Sequence, residues 1–107
     1  MDRSSFIDYK KIKKECFWEY NFSEKDIEEM ASGYDMKKKR FLFDKILLNS
    51  TTLFNDLKIF SKEDLAILIT EYRVPTFNYD YVFRRHNIAE VYFLDKPLLV
   101  DELKWAA

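Results

Sequence analysis

The residues able to do chemistry in this chain are few and scattered. His86 is the single histidine and Cys16 the single cysteine, so a zinc-type site of His and Cys ligands lacks its members. His86 ends an apolar helical face and reads as a packed side chain. Carboxylates stand side by side at Glu63–Asp64 and at Asp101–Glu102. Such a pair could exchange protons, but helix capping and a solvated surface account for both without chemistry. The central stretch, residues 40–72, holds no nucleophile beside a base, no metal-ligand cluster and no phosphate loop. The expectation is a protein that is not an enzyme, with no cofactor, metal or small-molecule substrate.

Two charged constellations remain. Lys37, Lys38, Lys39 and Arg40 crowd the first turn of an expected helix, where they oppose both one another and the helix dipole. Glu24, Asp26, Glu28 and Glu29 of the preceding helix could neutralise them; otherwise they mark a surface for an acidic protein or a nucleic-acid backbone. The second constellation is positional. If residues 62–72 and 78–87 are the two helices of a helix-turn-helix, Asp80, Tyr81, Arg84 and Arg85 form its outer face. Against duplex DNA as a partner, Asp80 can pair with Arg84 one turn on. Residues 41–107 also hold eight basic and ten acidic side chains, where a DNA-binding half should be basic.

These groups are positioned by helices. Ser23 stands three residues before Asp26, a capping signature, so a helix starts there with Ile27, Met30 and Ala31 on its inner face and Gly33 as a left-handed stop. Asp35 caps the next helix, whose apolar rows are Met36, Phe43 and Leu47 beside Leu42 and Ile46. A third segment, residues 51–60, carries Leu53, Phe54, Leu57 and Phe60. Ser61 repeats the cap signature, and Leu65, Leu68, Ile69 and Tyr72 follow it at helical spacing until Pro75. A looser stripe, Ile7, Tyr9, Ile12 and Cys16, predicts a first helix over residues 5–16. Tyr79, Val82, Phe83 and His86 predict a last one over residues 78–86. Residues 89–105 hold two apolar runs about Asp95, Lys96 and Pro97. Turn chemistry there favours a β-hairpin, and Pro97 opening a further helix fits nearly as well.

The bulk properties agree. The chain has 107 residues, 48% hydrophobic and 35% charged, with one Gly and two Pro, which describes one ordered domain of short helices. Its net charge of -1 supplies no global field toward nucleic acid or anionic membrane. A single cysteine excludes an internal disulfide framework, and neither a signal-peptide core nor a membrane-length apolar run is present, so the expected location is the cytoplasm. Aromatic residues make up 18% of the chain, more than a core of this size readily hides. Their concentration at residues 17–22 and 77–93 predicts an exposed patch, with Trp18 and Tyr20 beside Lys38 and Arg40 as the edge of a protein-partner or homodimer surface. The competing reading places Trp18 in the core.

Phe17, Trp18, Glu19, Tyr20, Asn21 and Phe22, then residues 39–47 and 53–60, follow a recurring order of features. Across residues 16–72 that order resembles a family of small bacterial antitoxin-like proteins encoded beside abortive-infection-type nucleotidyltransferase toxins, whose aromatic opening reads FWDxxF. The resemblance implies a non-enzymatic binding protein and carries over no catalytic residue. This chain departs from the pattern after Pro75, where the family closes with a Ser/Arg-rich helix. The reading is therefore a mainly α, compact bundle of four or five short helices with a C-terminal β-hairpin, acting as a protein-binding module. Two alternatives stand beside it: a winged helix-turn-helix regulator reading DNA through Tyr81, Arg84 and Arg85, and a small phage-type or defence-related inhibitor.

Overall fold

In the computed structural model, which describes residues 7–97, six helices follow one another: α1 Tyr9–Cys16, α2 Glu24–Ser32, α3 Met36–Asn49, α4 Leu53–Leu57, α5 Lys62–Glu71 and α6 Tyr79–Leu94. Helix accounts for 68% of the described residues, and no strand occurs among them. The mainly helical class is as expected, with six helices where four or five were expected.

Capping side chains set the starts. Asp8 accepts from the Lys11 N–H, and Asp35 accepts from that of Lys37. Ser23 and Asp26 form a reciprocal capping box on α2, and Ser61 accepts from the Asp64 N–H on α5. The inner faces are those the spacing singled out. Ile27 and Ala31 of α2, Leu42, Phe43, Ile46 and Leu47 of α3, and Leu65, Leu68 and Ile69 of α5 are all buried. They join Ile12, Cys16, Phe17, Leu57, Phe60, Val82 and Ala89 in one core. α3 is the central element, touching α1, α2, α4, α5 and α6. Its apolar face wraps widely because it has neighbours on several sides.

Three expectations need correction. Residues 89–94 continue α6 to Leu94 rather than forming the first arm of a hairpin. Val82, His86 and Ala89 are all buried, so one inward face runs on through the segment and favours helix over strand. The second arm of the expected hairpin lies outside the described residues. α4 covers Leu53–Leu57 only, and Lys58, Ile59 and Phe60 close on residues 55–57 through backbone hydrogen bonds of 3.2–3.3 Å. Gly33 does end α2, but its backbone (φ −74) is not left-handed. A Cβ there would lie 2.9 Å from the Glu29 carbonyl oxygen, so close approach is the reason for glycine. The left-handed positions belong to Asn78 and Asp95. After Asp95 the Lys96 N–H returns to the Glu90 carbonyl at 3.2 Å and reverses the chain.

The ends of α3 and α5 are closed by α6. Arg85 donates through Nε to the Leu47 carbonyl, and through one terminal nitrogen to Ser50 at 2.6 Å and Ile46 at 3.4 Å. The Tyr81 hydroxyl donates to the Leu48 carbonyl at 3.3 Å. His86 Nε2 lies 2.7 Å from the Ile69 carbonyl in the last turn of α5. A carbonyl only accepts, so this nitrogen carries the proton.

Two outcomes test this packing in denaturant melts. Leu68→Ala, at a buried position, should cost about 2 to 5 kcal/mol. Arg85→Met keeps the aliphatic stem but strips the donors from three carbonyls. It should cost about 1 to 3 kcal/mol, and Arg85→Lys should recover only part, since one ammonium cannot match the guanidinium fork.

Candidate functional site

The link between α1 and α2 organises the exposed aromatic residues. Phe17 turns into the core, and its ring meets Tyr20, Phe22 and Phe41 at centroid separations of 5.6–5.9 Å. Tyr20 stacks on Phe22 at 5.4 Å, meets Phe41 edge-on at 5.5 Å and carries the Lys45 ammonium 5.5 Å from its centroid. The alternation in this stretch thus reflects a turn with rings on both sides of a boundary. Trp18 stands on the outer side, 71% exposed, and Tyr20 is at the margin with 36%. The reading of Trp18 as core is overturned, because Phe17 takes the inward position next to it.

Beside this cluster a groove of about 650 Å³ runs between α2 and α3. Half-buried Phe22, Met30 and Phe41 line its apolar part. Exposed Asp26 and Glu29 flank it from α2, and exposed Lys37 and Lys38 from α3. Hydrogen bonds from the Ser23 backbone and hydroxyl hold the Asp26 carboxyl below its usual range. Lys38 and Phe41 are three residues apart on one side of α3, which brings Lys38 to the groove that Tyr20 adjoins.

Arg40 is not brought there. Two residues beyond Lys38 it sits across the helix, pairs with Glu71 of α5 at 2.8 Å and lines a separate cleft with Phe43, Leu68 and Tyr72. Lys39 is buried and paired with Asp64 at the start of α5. Compensation for these two members of the basic run therefore comes from α5, not from α2 as expected. Lys37 and Lys38 are the members that share a groove with α2 carboxylates.

The face that the helix-turn-helix alternative assigns to DNA keeps Asp80, Tyr81 and Arg84 exposed, while Arg85 is half-buried. Tyr81 and Arg85 both cap α3, and their side chains lie against each other, with the guanidinium carbon 5.3 Å from the ring centroid. Arg84 is exposed on α6. His86 is buried and hydrogen-bonded to backbone, with Nδ1 3.7 Å from Glu90. Among the described residues no group of three or more His, Cys, Asp or Glu side chains gathers as a metal site, and no helix is long and apolar enough to cross a membrane.

A polar cluster that sequence reading missed joins α1 to the turn after α3. Lys11 Nζ donates to Glu15 at 2.8 Å and to the fully buried Asp56 at 3.2 Å. Ser50 donates its hydroxyl to the same Asp56 oxygen, while Asp56 Oδ1 is buried without a hydrogen-bond partner. Glu15 also accepts from the Thr51 N–H at 3.1 Å and hydroxyl at 2.6 Å. The members are separated by up to 45 residues, so no local pattern announces them. Cys16 lies under this cluster. Burial, then the carboxylates of Asp56 and Glu15, push its thiol up to about 12, so it is no nucleophile at neutral pH.

Desolvation alone would raise the Glu15 carboxyl, but the hydrogen bonds from Lys11 and Thr51 outweigh it and lower the group from 4.5 to about 2. A carboxylate depressed in the folded state stabilises the fold above its unfolded value and loses that contribution as pH falls through its folded value. Wild-type stability should therefore decline between about pH 4.5 and 2. Glu15→Gln should be less stable at neutral pH and show a flatter profile over that window in pH-resolved denaturant titrations. No protein-family model, curated protein or solved structure matches this chain.

Proposed function

We propose that this chain is a non-enzymatic protein-binding module of antitoxin type, whose partner is a nucleotidyltransferase-type toxin. The single observation behind the reading is Trp18, a tryptophan 71% exposed on a linker otherwise devoted to ring packing. A large ring left in water contributes nothing to the monomer's core and forms a hot spot when a partner desolvates it. Tyr20 and Lys38 extend the surface from Trp18 along the groove edge. The docking surface is Trp18, Tyr20 and Lys38; Arg40 is left out because it faces α5. The thiol next to this linker is buried and its pKa raised, and the histidine, away on α6, is tied to backbone.

Co-purification with the product of the flanking gene tests the reading. The tagged chain should capture a nucleotidyltransferase-type protein. Trp18→Ala should weaken capture at least about tenfold, with stability changed by less than about 0.5 kcal/mol. A flanking gene of another kind, or capture that survives Trp18→Ala, would overturn it.

A further inference from the structure

We infer that the α2–α3 groove pairs two copies of this chain about a two-fold axis running along the groove. The inference rests on the reading of this face as a protein-binding surface, and it names a second copy as an occupant. The groove is acidic on one flank, Asp26 and Glu29 of α2, and basic on the other, Lys37 and Lys38 of α3. Facing copies related by a two-fold axis along the groove bring each α2 against the partner's α3. Acid then meets base twice, which is the self-complementarity that an isologous interface requires. The Gly33–Tyr34–Asp35 link places Glu29 near the same end of the hairpin as Lys37 and Lys38. The axis preserves position along the groove, so Glu29 and the opposing lysines meet at the same level. Met30 and Phe41 supply the apolar contact between the charged flanks.

The charges themselves point the same way. Glu29 sits in the last turn of α2 and Lys37 and Lys38 in the first turn of α3, each with the sign its helix dipole disfavours. A second copy sets opposite charges against both ends. Tyr34, wholly exposed on the link between them, stands where it would meet its own counterpart.

The test uses charge reversal at Glu29 and Lys38, whose replacements each suit the local helix dipole and leave the monomer folded. Sedimentation velocity on the full chain should show a dimer that weakens as salt rises. Glu29→Lys and Lys38→Glu, each alone, set like charges across the interface twice and should weaken self-association at least about tenfold. Mixed in equal amounts, the two variants should form a heterodimer by native mass spectrometry, since both contacts between positions 29 and 38 are then of opposite sign. The double variant should again pair with itself. A monomeric wild type at low salt, single variants that dimerise like wild type, or a mixture that stays monomeric would each overturn the inference. If the wild type is monomeric while Trp18→Ala still abolishes toxin capture, the pairing fails and the binding reading stands. A dimer with no toxin capture gives the reverse.

Discussion

The rest of the structure depends on how the open carbonyls at the ends of α3 and α5 are satisfied. The usual device is a glycine in the left-handed conformation just past the last turn, and this chain has one glycine, used elsewhere for close approach. α6 supplies the missing donors. Arg85 covers the Leu47 and Ser50 carbonyls at the end of α3 and adds a longer bond to Ile46, which already accepts the Ser50 N–H; Tyr81 covers Leu48, and His86 covers one carbonyl in α5. Three side chains within six residues of one helix thus lock the order in which α3, α5 and α6 pack. A carbonyl left without a donor as it is buried costs more than a typical hydrogen bond returns, so this arrangement adds a directional constraint to the apolar core beside it.

That constraint also occupies Arg85, one of the cations on α6. Arginines and tyrosines on one helical face are the composition of a nucleic-acid reader, but a guanidinium already shared among carbonyls is not available to a phosphate. The link between α1 and α2 is built differently. There the rings of Phe17, Phe22 and Phe41 pack on one another and Trp18 is left exposed outside them, while Phe22 and Phe41 also line a groove whose charges are sorted by helix.

The basic run shows how four adjacent charges acquire different fates. Their spacing of about 100° per residue on a helix sends Lys39 and Arg40 toward α5 and Lys37 and Lys38 toward α2. Lys39 becomes a buried tether to the start of α5, and Arg40 an exposed pair with its end. The run is thus half scaffold and half surface.

By itself the sequence determined the local features: the caps at Ser23, Asp35 and Ser61 and the inward faces of α2, α3 and α5. Those follow from interactions spanning a few residues, where periodicity and capping chemistry are sufficient. The length of α6 was not legible, because an apolar run broken by a proline suits a strand pair as well as a helix until its buried face is known. Nor could the sequence separate Phe17 from Trp18, two large rings side by side, only one of which can point inward from a turn. Tertiary structure alone decided the fates of Arg85, His86 and Asp56. Each has a partner 17 to 45 residues away, and only packing brings such groups within hydrogen-bond distance.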